Sequence, residues 1–169
     1  MKILRSTLVV LLVSALGITV SIQSYAAGLP TKVSFDVQSV LPSQWLNPGY
    51  TLVMMPNILL NDGTGYSGTT SQFKVPNSGV YQFNANVSID TGGQDCSAFI
   101  LSLFLNGNEF RRLSRTQGGP NTHQFELTGS ILVRLALNDV VDIRIFNNCT
   151  NGVFVEADGR AYFSGVRLY

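Results

Sequence analysis

The sequence predicts an all-β fold, a two-sheet antiparallel jelly-roll β-sandwich in a single domain. Beyond the N-terminal segment, apolar residues recur with period 2 and form no convincing helical stripe. Turn-forming residues cut the chain into at least eight short runs, the spacing of a sandwich or barrel. The 169 residues, 45% hydrophobic and 12% charged, can bury one sizeable core and are unlike a disordered chain.

The first segment reads as a secretory signal peptide over residues 1–26. Lys2 and Arg5 make a short basic start, an apolar run follows from Leu8 to about Ile22, and Ser24-Tyr25-Ala26 supplies small residues before Ala27. Cleavage is expected after Ala26 or Ala27, which leaves residues 27–169 as the folded domain. The apolar run is broken by Ser14, Gly17, Thr19 and Ser21. A membrane-spanning helix needs about 20 apolar residues, so no stable membrane insertion is expected after cleavage. The protein is expected to be secreted or extracytoplasmic, in the periplasm or at the cell surface if the source is bacterial.

Within the mature chain the clearest strand is Gly79–Ile89. Tyr81, Phe83, Ala85, Val87 and Ile89 point one way, and Gln82, Asn84, Asn86 and Ser88 the other. A second runs over Gln124–Leu137, with Phe125, Leu127, Ile131, Val133, Leu135 and Leu137 on its apolar face. Val33–Val37, Gln72–Val75, Val141–Phe146 and Arg160–Leu168 are shorter strands, and the almost wholly apolar Ala98–Leu105 suits a strand covered on both faces. Asn106-Gly107 between Leu105 and Glu109 signals a type I′ hairpin. Pro76-Asn77-Ser78-Gly79, Thr91-Gly92-Gly93, Asn138-Asp139 and Asp158-Gly159 mark further turns.

Composition also excludes partners. Removing Lys2 and Arg5, with no acid in the leader, turns the formal net charge of +1 into −1. Nucleic-acid binding calls for a basic excess that is absent. Glycines follow no three-residue period, so the chain has no collagen stalk of its own. The two cysteines, Cys96 and Cys149, are not in a C-x-x-C motif. For an exported chain one disulfide is the economical reading, with two buried thiols as the alternative.

Candidate chemistry is sparse. His123 is the only histidine and no Gly-x-Ser-x-Gly elbow accompanies it, which argues against a catalytic triad or a histidine-rich metal site. Glu109, Glu126, Asp139, Asp142, Glu156 and Asp158 could in principle supply the two acids of a glycosidase, but they fall in turns or on polar strand faces. Asn61-Asp62-Gly63-Thr64-Gly65 and Glu156-Ala157-Asp158-Gly159 carry oxygen ligands of the kind calcium takes, at spacings that match no recognisable calcium loop. No cofactor is expected. Arg111, Arg112 and Arg115 are the densest basic cluster and a candidate anion site. Simple alternation puts Arg111 and Arg115 on one face and Arg112 on the other.

Asn61, Tyr66, Phe73, Gly79, Tyr81 and Phe83 stand at the spacings of a known signature, an Asn or Asp, an aromatic, a Phe, then Gly-x-Tyr-x-Phe. In this the chain resembles the complement C1q head family, part of the C1q and tumour necrosis factor-like superfamily. Met55 and Ala85 stand where that family usually has an aromatic. Leu135-Ala136-Leu137-Asn138-Asp139-Val140-Val141 is similar to its Leu-x-x-Gly-Asp-x-Val turn, with Asn138 for glycine, and Phe163-Ser164-Gly165 to its closing strand. The resemblance covers roughly Val33 to Tyr169. It implies that the signature residues, with Phe163 and Gly165, are structural, Gly79 allowing a sharp entry into its strand. It implies that the strand beginning near Ala98 pairs with the one ending near Phe146, setting Cys96 beside Cys149. It also implies a homotrimer that binds an unidentified protein, glycan or surface polymer through its loops, with 91–95, 116–122 and 147–152 as candidates.

Three functions are thereby in play. The first is a secreted trimeric recognition module without catalysis. The second is the structural head of a cell- or spore-surface filament. The third is a glycan-active enzyme on a sandwich scaffold, using acids such as Glu126 and Asp142.

Overall fold

A computed structural model describes residues 32–39, 44–94, 96–117, 123–156 and 159–169. Residues 1–26, where a leader is expected, lie outside this range. Among the described residues thirteen strands run in chain order: β1 (Ser34–Gln38), β2 (Gln44–Leu46), β3 (Gly49–Leu52), β4 (Asn57–Asp62), β5 (Tyr66–Ser67), β6 (Gln72–Lys74), β7 (Gly79–Asp90), β8 (Phe99–Leu105), β9 (Asn108–Thr116), β10 (Gln124–Leu135), β11 (Val140–Asn147), β12 (Val153–Val155) and β13 (Tyr162–Arg167). The described residues contain no helix, and so none long and apolar enough to cross a membrane.

The strands form two antiparallel sheets. In the first, β7 is central: β10 takes one edge, while β13 and β12 lie end to end along the other. Outside these run β1 against β13, β2 against β12, and β4 beyond β1. In the second sheet, β11 is central, with β8 and then β9 on one side and β6, β5 and β3 on the other. The expected two-sheet jelly roll is thus the fold. A Cβ on Gly129 would come within 2.6 Å of Leu113 Cβ, so β10 and β9 approach closely where the two sheets meet.

Alternation in β7 explains the core. Tyr81, Phe83, Ala85, Val87 and Ile89 all face inward and are fully buried. Phe35 sits amid the aromatics, its ring 4.7 Å from Phe73, 5.0 Å from Phe163 and 5.2 Å from Tyr66. Such offset and edge contacts add to the burial of the rings themselves. Asn61 Nδ2–H donates to Tyr66 O (2.9 Å) and Asn61 Oδ1 accepts from Tyr66 N–H (3.1 Å), closing the β4–β5 turn. The Tyr66 hydroxyl donates to Met55 O, and its burial pushes the phenol up to about 12. Met55 and Ala85, where the family usually places aromatics, are both buried.

Two local details differ from the simple pattern, and Gly79, which opens β7, has an ordinary negative-side φ. It is small because a Cβ would overlap the Tyr169 carbonyl and crowd Arg167 Nε at 2.6 Å. β10 ends at Leu135, so Leu137 lies beyond it and is exposed. Asn86 and Ser88 lie on the polar face of β7 yet are buried, because Asn86 Nδ2–H donates to Arg160 O and Ser88 Oγ–H to Glu156 Oε2. Turn chemistry matches its residues: Asn106 and Gly107 have φ of 51° and 81°, both positive as type I′ requires, and Asn138 takes φ 71°.

Candidate functional site

Pairing of Phe99 with Asn147 brings the β7–β8 and β11–β12 connections to one end of the sandwich. Cys96 and Cys149 are bonded there, with Cα atoms 4.6 Å apart. Around the disulfide the two loops share polar contacts. Ser97 N–H and Ala98 N–H donate to Asn148 Oδ1, Gln94 Nε2–H donates to Gly152 O, and Asn151 N–H donates to Gln94 Oε1. His123, exposed at the start of β10, accepts from Thr91 N–H through its carbonyl. Two of the three candidate loops therefore form one stapled rim. Asp95 and residues 118–122 lie outside the described range.

An aromatic pair borders this rim. Trp45 on β2 and Phe154 on β12 are register partners, so both project from the outer face of the first sheet. Their rings meet edge to face at 4.7 Å, and they are 42% and 38% exposed. The sequence patterns do not single them out, because β2 and β12 are three residues each, too short to show alternation. The chain's single tryptophan was the one available signal.

The arginine cluster is arranged differently from simple alternation. β9 carries register shifts between the partners of Leu101 and Ser102 and between those of Leu103 and Phe104. Each bulge inserts an unpaired residue. Arg112 and Arg115 consequently pair with Ser102 and Ile100 on the outer face of the second sheet, and Arg111 pairs with Leu103 on the opposite side. Arg112 is engaged by Glu109, whose Oε1 accepts from Arg112 Nε–H (2.9 Å), Tyr50 O–H (2.6 Å) and Ser102 Oγ–H (2.9 Å). The Arg112 guanidinium, followed by the Tyr50 hydroxyl, holds the Glu109 carboxyl below the usual glutamate value. Burial first, and Glu109 second, raise the Tyr50 phenol.

Glu126 and Asp142 do not converge on a cleft. Asp142 is buried on the outer face of the second sheet, where it accepts from Arg144 Nε–H (2.8 Å) and Gln72 Nε2–H (2.9 Å). Arg144 in turn lies over the Phe104 ring at 4.2 Å. Glu126 projects from the outer face of the first sheet, 3.8 Å from Arg160. The two carboxylates flank the sandwich from opposite sides and cannot act on one bond. In the first calcium candidate, Asp62 is paired with Lys32 (2.8 Å) and Ser34 (3.1 Å), and Asn61 is spent on Tyr66. In the second, Ala157 and Asp158 lie outside the described residues. Among the described residues no three His, Cys, Asp or Glu side chains cluster as a metal site.

A family model of the C1q domain matches residues 39–168. The chain belongs to the C1q domain family. Its fold is similar to the globular domain of zebrafish complement 1qA protein, at 17% identity and a TM-score of 0.59, covering 82% of this chain and 98% of that one. Eiger TNF from S. frugiperda aligns at 10% identity and TM-score 0.60, over 82% of this chain and 94% of its own. Murine APRIL aligns at 15% and 0.56, over 81% and 99%. At such identities the likeness concerns the fold. No curated protein matches the chain in sequence. Within this C1q domain, Phe73, Tyr81, Phe83 and Phe163 are core residues. Arg111, Arg112 and Arg115 do not share one face.

Proposed function

We propose that the chain is exported through its 1–26 leader and that residues 27–169 assemble as a homotrimeric recognition head, which binds a glycan, protein or surface polymer without catalysis. Membership of the C1q domain family supports the binding role. The observation that carries the assembly is a set of exposed apolar side chains, interspersed with polar ones, on the outer face of the first sheet. Leu132, 62% exposed, projects from β10, Tyr162 from β13 and Leu60 from β4, with Leu59 bulged beside it at 58%. Exposed apolar side chains on a sheet face are suited to contact with another copy. A ring of three heads would present three loop rims and gain by avidity.

Absence of catalysis is consistent with Asp142 being consumed by Arg144 and Gln72 and with Glu126 lying on the other sheet. The test is an array of glycans, surface polymers and proteins probed with the purified mature chain. Saturable retention of a ligand recovered unchanged is expected. Release of shortened product would overturn the reading.

A further inference from the structure

Trp45 is the chain's only tryptophan and stands outside the core, yet its indole is fixed on several sides. Nε1–H donates to Asn47 Oδ1 at 3.2 Å, Phe154 meets the ring edge to face, and Gly152 lies against it. A Cβ on Gly152 would come within 2.8 Å of Trp45 Cζ2, so the missing side chain there is what seats the indole. An exposed aromatic surface held in one orientation loses little entropy when something stacks on it.

The register extends this platform. Trp45 pairs with Phe154, Phe154 with Asp90, and Asp90 with Gln124, so four side chains stand in one row on one face. At about 4.8 Å between strands the row is roughly 14 Å long. Half of it is aromatic and half is hydrogen-bonding. Asp90 Oδ1 accepts from Gly92 N–H, and Gln124 Nε2–H donates to Glu156 Oε1, which leaves Asp90 Oδ2 and Gln124 Oε1 as acceptors on two residues of the same face. The only charge in the row is negative.

We propose that this row is a binding site for an uncharged oligosaccharide or polysaccharide; the assignment rests on the binding role proposed above and names its ligand class. A pyranose presents C–H groups on its ring faces, which the negative π-face of an aromatic attracts, and hydroxyl donors around its rim, which suit the carboxylate and amide oxygens. A sulphated or uronic-acid chain would be repelled by Asp90. The platform is separate from the exposed apolar side chains assigned to subunit contact. Tyr162 pairs with Asn86, four residues below Asp90 along β7, and Leu132 with Gln82, eight below. These are displacements of roughly 13 and 27 Å at about 3.4 Å per residue. Glu156 and the Arg160 carbonyl, bonded to Ser88 and Asn86, lie between.

Because Trp45 is the sole indole, tryptophan fluorescence of the mature, disulfide-bonded chain reports on this site alone. We expect the free protein to be quenched by acrylamide. Titration with cellohexaose, laminarihexaose, maltohexaose and chitohexaose should protect the indole for at least one sugar. Phe154→Ala should weaken that binding at least about tenfold with the assembled mass unchanged, and Trp45→Ala should abolish it in a calorimetric titration. An indole already shielded in the free assembly, a mass lowered by Trp45→Ala, protection by heparin oligosaccharide in preference to all four neutral sugars, or no protection by any of them would overturn the proposal. None of these results would remove a trimer that still binds an arrayed protein elsewhere.

Discussion

Gly165 lies between Phe35 and Phe83, its register partners on the two flanking strands. A Cβ there would overlap Phe35 Cε1 and stand 2.8 Å from Phe83. The two rings cover the glycine and fill the space its side chain would take, which makes Phe163-Ser164-Gly165 a packing motif. Gly165→Ala is expected to cost about 1–3 kcal/mol by overpacking, measured by denaturant unfolding with an unchanged slope. A neutral result would show that the rings can shift.

The Cys96–Cys149 disulfide spans 53 residues and ties the ends of β8 and β11. Its replacement in Cys96→Ser/Cys149→Ser should lower stability by about 2–4 kcal/mol. The loop rim should lose hydrogen-exchange protection first, because the β8–β11 ladder persists without the covalent link. Mass analysis of the exported protein should show two hydrogens fewer than the reduced form.

Asn138 holds φ 71° in the β10–β11 turn, and its N–H donates to Val75 O. Asn138→Gly is expected to match the parent within a few tenths of a kcal/mol, whereas Asn138→Val should lose about 1–2 kcal/mol, since a branched residue resists the left-handed region. Thermal unfolding of the two variants separates backbone conformation from side-chain contacts.

Glu109 ties β9 to β3 through Tyr50 and to β8 through Ser102. Its carboxyl is held low in the folded state, first by Arg112 and then by Tyr50. Its contribution is therefore complete above the unfolded-state value and is lost as pH falls through the lower folded-state value. Glu109→Gln should be less stable than the parent at neutral pH, and the gap should narrow on acidification. A gap that is constant with pH would refute the charged-hub account.

Long strands were legible in the sequence and short ones were not. β7 and β10 show alternation over enough residues for the period to stand out, and Asn106-Gly107 announced its hairpin. β2, β3, β5 and β12 are two to four residues each and owe their existence to neighbours, which periodicity cannot see. Bulges in β9 defeated alternation for the three arginines, since an unpaired residue resets the face of those that follow. The burial of Ser88 and Asn86 on the polar side of β7 is not visible in the alternation, because their covering groups come from 68 and 74 residues away. The stapled loop end was legible only through the family resemblance, which pairs the two strands that Cys96 and Cys149 flank. The Trp45–Phe154 platform was not, because it depends on a pairing between two unannounced strands.

Assembly is the point on which the account turns, since a recognition head that presents three rims needs its first sheets to pack together. Light scattering on the purified, disulfide-bonded mature chain at micromolar concentration measures this directly. The account predicts three times the chain mass, and a mass equal to one chain would contradict it.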